Sequence, residues 1–135
     1  QCYQAAAEQD NADAQLNLGM MYQNGQGVPL DPAMAVKWYQ RAADRGHLYA
    51  QFNLALMYAK GQGVAQSDAT AAKWFLAAAE QGDPRAQYNL GVLLSQGRGV
   101  QQDHVAAMNW YRLSAAQGDP RAQANLDVLE KEHSE

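Results

Sequence analysis

The stretch GQGV at residues 25–28 returns as GQGV at residues 61–64 and as GRGV at residues 97–100, so the copies lie 36 residues apart. The sequence around each copy repeats with the same spacing, which defines three full units. These units are residues 12–47, 48–83 and 84–119. A fixed period of about 20–50 residues indicates a repeat architecture, in which each unit is one supersecondary element. The glycine-rich loop is therefore part of an internal repeat.

The two ends of the chain follow the same frame. Residues 1–11 correspond to the end of a preceding repeat, and residues 120–135 correspond to the first half of a further one. Because the chain begins in mid-repeat and without Met, the sequence indicates a fragment or a processed form. We expect a single repeat domain over residues 1–135, in which residues 120–135 form a terminal half-repeat helix.

Each unit contains two stripes of apolar residues with helical spacing. In the first unit Ala14, Leu18 and Met21 mark one helix, and Ala35 and Tyr39 mark a second. The same columns recur in the other two units. The pattern predicts an all-α fold of antiparallel helix pairs in 36-residue repeats.

One tryptophan recurs in the second helix of every unit. The column holds Trp38, Trp74 and Trp110. Aromatic rings can stack on a ligand, but a tryptophan held in one column of a helical repeat more often fills the core. We expect all three rings to pack inside.

The glycine-rich loop lies between the two predicted helices of each unit. A phosphate-binding loop follows a strand and opens a helix, and none of the three copies has that context. The glycines permit positive φ, and Val28, Val64 and Val100 are placed to hold the turn against the core. We interpret the loop as a helical hairpin turn.

Composition excludes several classes of function. The chain has 47% hydrophobic and 18% charged residues, which indicates a packed structure. A net charge of -4 gives no reason to expect nucleic acid as a partner, and no apolar run approaches the roughly 20 residues of a membrane span. Cys2 is the one cysteine, so no intrachain disulfide forms. The cellular compartment stays open.

Residues with catalytic or metal-binding chemistry are scattered. His47, His104 and His133 form no pair with ligand spacing, and no serine lies in a nucleophile motif. The sequence therefore predicts no catalytic residue, no metal site and no cofactor, and we expect a protein that is not an enzyme.

Several spaced columns together resemble a known family. The first unit contains "AQLNLGMMY" from Ala14 to Tyr22, "GQGV" from Gly25 to Val28 and "WYQRAA" from Trp38 to Ala43, and the two later units end in Gly-Asp. This combination is similar to the Sel1-like repeat (SLR) family of tetratricopeptide (TPR)-like helical solenoids. The resemblance covers essentially the whole chain.

The resemblance implies an α/α superhelical solenoid that serves as a scaffold or adaptor in protein complexes, in many cases bacterial. A bacterial cytoplasmic, periplasmic or secreted location would each fit. The family's cysteine-rich branch has been associated with penicillin binding, so the alternative is a penicillin-interacting or β-lactamase-like enzyme. This chain lacks the paired cysteines of that branch.

One polar column runs through the predicted first helices. It holds Asn17, Asn53, Asn89 and Asn125. Asparagine is a mediocre helix former, so helix propensity does not explain the column. The resemblance implies that these residues lie on the concave face, where related domains hold a peptide backbone. The alternative is structural, with each asparagine tying adjacent helices together by hydrogen bonds.

The positions around this column vary between units, as expected for recognition on a common scaffold. The residues that we expect to contact a partner's side chains are Tyr49, Phe52, Arg85, Tyr88 and Arg121. Aromatic and arginine residues are the types that most often anchor interfaces. The two arginines could accept carboxylate groups. The sequence thus predicts a protein or peptide partner in a concave groove, and a small-molecule ligand is not expected.

Overall fold

The computed structural model describes residues 11–133, so the expectations for residues 1–10 and for the last two residues lie outside the described part. Residues 11–133 form seven α-helices and no strand. The helices are α1 (Ala12–Asn24), α2 (Pro32–Asp44), α3 (Leu48–Lys60), α4 (Asp68–Glu80), α5 (Pro84–Gln96), α6 (His104–Ala116) and α7 (Pro120–His133). The predicted all-α class is confirmed.

The chain divides into two compact units, Gln1–Ser67 and Asp68–Glu135. In the first unit α1 packs on α2 and α2 packs on α3. In the second unit α4 packs on α5, α5 on α6 and α6 on α7. Consecutive helices in each unit are therefore neighbours in space.

Short polar side chains determine where the helices begin. Asp31 accepts a hydrogen bond from the Met34 backbone N–H at 3.3 Å, and Asp103 accepts one from Ala106 at 3.0 Å. Asp83 caps α5 in the same way, with a proline as the first helical residue. These carboxylates satisfy N–H groups that have no partner inside a helix. Helices α2, α5 and α6 therefore begin directly after Asp31, Asp83 and Asp103.

Alanine makes up much of the core, which lets helices approach closely. Ala35 and Ala42 of α2 and Ala50 of α3 are fully buried. Glycine does the same at two positions in the first helices. A Cβ atom on Gly19 would lie 2.7 Å from the Tyr39 ring, and one on Gly91 would lie 2.6 Å from the Tyr111 ring. The tyrosine rings therefore pack directly against helix backbone.

The tryptophan column is not buried uniformly. Trp38 and Trp74 are 7% and 8% exposed, with a cationic side chain over each ring: Arg41 at 4.8 Å and Lys73 at 5.0 Å. Trp110 is only half-buried. The expectation that all three rings lie inside is correct for Trp38 and Trp74 and wrong for Trp110.

The glycine-rich loop forms the predicted hairpin turn and makes a second contact as well. Gly97 ends α5 in the left-handed conformation, with its N–H donating to the Leu93 carbonyl. Gly99 has a φ of 73°, and a Cβ atom there would lie 2.3 Å from the Asp68 carbonyl carbon at the start of α4. The loop of one repeat thus packs on the second helix of the repeat before it.

Candidate partner-binding site

The asparagine column reaches the surface along the first helices. Asn17 is exposed, whereas Asn53, Asn89 and Asn125 are half-buried. Asn17 and Asn53 belong to the first unit, and Asn89 and Asn125 belong to the second. The column therefore lies beside the core, as the helical spacing predicts.

Two of these asparagines contact a tyrosine hydroxyl on the preceding second helix. Asn125 Nδ2 donates to the Tyr111 hydroxyl at 3.4 Å. Burial raises the pKa of Tyr39 to about 12, and a side-chain interaction with Asn53 partly offsets this rise. Burial also raises the pKa of Tyr111, so both tyrosines stay protonated at neutral pH. These contacts support a structural role for Asn53 and Asn125.

Asn89 differs from its equivalents. The residue of the preceding helix that corresponds to Tyr39 and Tyr111 is Phe75, which has no hydroxyl. Within residues 11–133 the Asn89 carboxamide makes no side-chain hydrogen bond. A carboxamide carries two donors and an acceptor. Asn89 therefore presents hydrogen-bonding groups that the fold does not use.

The two predicted arginines already contact carboxylates of their own chain. The Arg85 guanidinium donates to Asp83 at 3.0 Å, and that of Arg121 donates to Asp119 at 3.0 Å. Arg121 also lies over the Tyr88 ring, 4.3 Å from its centroid. Each arginine is thus held in place by the carboxylate that caps its helix, which reduces its capacity to attract a further anion.

The Arg121 pair makes stability depend on pH. The Arg121 side chain, through its hydrogen bonds, lowers the pKa of Asp119, and burial of the carboxyl opposes this effect. A carboxyl whose pKa is lowered by folding stabilises the fold above its unfolded pKa of about 4 and loses this contribution as the pH falls through the folded value.

Because asparagine also caps helices, the Asp119→Asn variant removes the charge and keeps the cap. We expect urea unfolding to show the variant less stable at pH 7, with the difference shrinking below about pH 4. An equal difference at pH 7 and at about pH 3 would contradict this assignment.

The aromatic residues of the predicted site differ in accessibility. Tyr49 is 55% exposed and its ring lies 6.0 Å from that of His47, whose Nε2 contacts Asp13 at 2.8 Å. Tyr88 is half-buried against Tyr111. Phe52 is 7% exposed, so it supports the surface from below and offers a partner little area.

A cavity of about 210 Å³ lies in the second unit between α5 and α7. Its lining residues are Val92, Ser95, Gln96, Tyr111, Asn125, Val128 and Leu129. The sequence predicts Asn125 as a partner-binding residue, whereas it counts Tyr39 and Tyr111 only among the apolar positions of the second helices. The sequence does contain a sign that the tyrosine hydroxyls have polar partners. A polar residue stands sixteen positions before each tyrosine, Gln23 before Tyr39 and Ser95 before Tyr111, whereas alanine stands sixteen positions before Phe75.

The described residues offer no evident site for a metal ion. Within residues 11–133, no three His, Cys, Asp or Glu side chains come together in a way that could hold one. The same residues include no helix with the length and apolar character needed to cross a bilayer.

Comparison with known proteins gives the family. The model of the Sel1 repeat matches residues 1–11, 12–47, 48–83 and 84–119. No curated protein sequence matches the chain. The family match covers nearly the whole length of the chain and follows the 36-residue period read from its sequence.

Solved structures of bacterial proteins are similar as well. A Sel1 repeat protein from Oxalobacter formigenes shares 40% identity over 89% of this chain and 49% of its own, with a TM-score of 0.86. A protective antigen of uropathogenic Escherichia coli with an SLR fold shares 40% identity over 90% of this chain and 26% of its own, with a TM-score of 0.85. This chain thus spans about half of the first protein and a quarter of the second.

A third structure extends the likeness in fold alone. Cysteine-rich protein B of Helicobacter pylori shares 19% identity over 93% of this chain and 90% of its own, with a TM-score of 0.71. Identity at that level does not transfer chemistry to this chain. The family model and the structures together confirm the expected TPR-like solenoid class, and the chain belongs to the Sel1 repeat family.

Proposed function

We propose that the chain is a protein-interaction scaffold that holds a partner's extended segment on the polar face of α5 and α7, the first helices of the repeats in its second unit. Sel1 repeat proteins are generally interaction scaffolds and mostly not enzymes. The partner is a peptide or protein, and contact is made through Asn89 and the variable residues around the asparagine column in that unit. The observation that most directly supports this proposal is the Asn89 carboxamide, which is half-buried and makes no hydrogen bond within the described residues.

The second unit offers the more complete set of contacts. We define the α5–α7 surface as Arg85, Tyr88, Asn89, Val92, Arg121, Asn125 and Val128. Its side chains combine a carboxamide, a stacked arginine–tyrosine pair and an exposed aliphatic group, since Val128 is 55% exposed. A carboxamide can donate to a peptide carbonyl and accept from a peptide N–H at the same time. The surface therefore suits a partner backbone flanked by mixed side chains.

Asn89→Ala tests this proposal. We expect the variant to keep the wild-type melting temperature, because the side chain has no hydrogen bond to lose within the described fold. We expect its affinity for peptides selected on the wild-type protein from a phage-displayed random library to fall about threefold to tenfold, the effect of one lost hydrogen bond. Fluorescence anisotropy of the labelled peptides measures the change.

Asn125→Ala is the matched control for stability. It removes the bond to the Tyr111 hydroxyl and should lower the free energy of unfolding by about 1 kcal/mol. If the library yields no peptide that binds the wild-type protein, the scaffold proposal fails. If Asn89→Ala lowers the melting temperature as much as Asn125→Ala does and leaves peptide affinity unchanged, the asparagine column is structural throughout.

A further inference from the structure

The first unit contains an internal hydrogen bond that shows what the tyrosine column can bind. The Tyr39 hydroxyl donates to the Gln23 side-chain oxygen at 2.6 Å. The Asn53 side chain on the next first helix interacts with the same hydroxyl. A glutamine carboxamide therefore lies against a Tyr–Asn pair within a single unit.

The equivalent place in the second unit is only partly filled, because the Ser95 side chain that interacts with the Tyr111 hydroxyl there is short. Ser95 stands in the column of Gln23, with a side chain three heavy atoms shorter, and its hydroxyl donates to the Val92 carbonyl at 3.1 Å. Tyr111 and Asn125 repeat the Tyr–Asn pair. The cavity of about 210 Å³ is lined by these three residues. It thus lies where the repeat frame places a glutamine side chain in the first unit.

We propose that this cavity binds the side-chain carboxamide of a glutamine carried by the partner, in the place that Gln23 occupies in the first unit. This proposal rests on the proposed scaffold function and specifies the side chain that the α5–α7 surface recognises. The contact of Gln23 with Tyr39 shows the arrangement that we expect for the bound glutamine side chain.

The lining of the cavity fits a carboxamide better than other groups. The Tyr111 oxygen accepts from Asn125 Nδ2, and the Ser95 side chain interacts with the same hydroxyl. A ligand oxygen that takes the place of Ser95 can accept the hydroxyl hydrogen, as Gln23 accepts from Tyr39. Val92, Val128 and Leu129 provide apolar walls for the methylene groups of the ligand. The lining includes no cationic side chain, so a carboxylate would lose its hydration without gaining a counter-charge. The site should therefore select glutamine over glutamate.

The probe that tests this is N-acetyl-L-glutamine N-methylamide, observed by NMR through the Asn125 side-chain NH₂ signals and the Tyr111 ring. We expect saturable shifts of these signals. The matched probes are the corresponding amides of methionine, glutamate and glycine. The methionine probe lacks the carboxamide, and the glutamate probe has a carboxylate in its place. The glycine probe has only the backbone amides. Each should bind at least about threefold more weakly, since each lacks the bonded carboxamide. Equal binding of the glycine probe would show that the site takes backbone amides and would overturn the proposal.

Three variants use residues that the chain already places in the same columns, so each suits the fold. Ser95→Gln should fill the cavity from within, raise the melting temperature and abolish binding of the glutamine probe. Ser95→Ala, the residue at position 59, leaves the cavity open and should keep at least half of the wild-type affinity. Tyr111→Phe, the residue at position 75, should weaken binding about threefold to tenfold.

The outcomes separate this proposal from the scaffold function. If selected peptides bind the α5–α7 surface with no preference for glutamine and Ser95→Gln binds them as well as wild type, the carboxamide site is wrong and the scaffold function stands. If the glutamine probe binds and Ser95→Gln prevents it, the carboxamide site is supported. Unchanged signals of Asn125 and Tyr111 at saturating probe would overturn it.

Discussion

Replacing Trp74 by alanine should lower the free energy of unfolding by about 3–5 kcal/mol, the range for deletion of a buried aromatic side chain. The ring is 8% exposed and carries the Lys73 ammonium 5.0 Å above its centroid. Its removal leaves a cavity, whose cost adds to that of the lost burial. Urea unfolding monitored by circular dichroism measures the loss.

Trp110→Ala is the matched comparison, because the residue occupies the same column and is only half-buried. Destabilisation by truncation scales with the area removed from water and with the cavity left behind. The loss for Trp110→Ala should therefore be clearly smaller. Equal losses for the two variants, or a near-neutral Trp74→Ala, would refute the packing described for the column.

The second large effect is expected for Gly99→Ala, which should cost about 2–5 kcal/mol. The φ of 73° at Gly99 disfavours any residue with a Cβ atom by about 1–2 kcal/mol. The added Cβ would also lie 2.3 Å from the Asp68 carbonyl carbon and 2.5 Å from the Ala69 nitrogen. Because these are backbone atoms of α4, the contact can be relieved only by moving the loop away, at a further cost of about 1–3 kcal/mol.

Gly82→Ala separates the two contributions to the Gly99 effect. Gly82 has a φ of 97°, but a Cβ atom there would meet nothing within 4 Å. Its substitution should therefore cause only the conformational loss of about 1–2 kcal/mol. A Gly99→Ala variant no less stable than Gly82→Ala would show that the loop does not depend on close packing against α4.

Helix boundaries were predictable from the sequence because local chemistry determines them. The cap at Asp103 and the stop at Gly97 act within a few residues of their own position, and the period displays them repeatedly. The half-burial of Trp110 was not predictable in this way. Identical residues in a column of the repeat predict identical surroundings. The burial of a side chain such as Trp110, however, depends on which neighbouring helices pack over it.

The candidate site was predictable as a stripe but not as a set of contacts. Helical spacing placed Asn89 and Asn125 beside the core correctly. The Asn125–Tyr111 hydrogen bond was not foreseen, because it depends on the distance between helices of successive repeats. The pairing of Arg121 with Asp119 could have been inferred, since Asp-Pro-Arg occurs at the start of both α5 and α7 and leaves the guanidinium within reach of the cap.

The junction between loop and preceding helix has an evolutionary consequence. At Gly63 the nearest atoms to an added Cβ are the backbone of Pro32 and Ala33, and at Gly99 they are the backbone of Asp68 and Ala69. Both contacts therefore involve main-chain atoms at the start of a helix and do not depend on which side chain is present there. A duplication or deletion of 36 residues in frame would recreate the same junction without compensating substitutions. The number of repeats can therefore change during evolution, while the side chains of the first helices diverge independently.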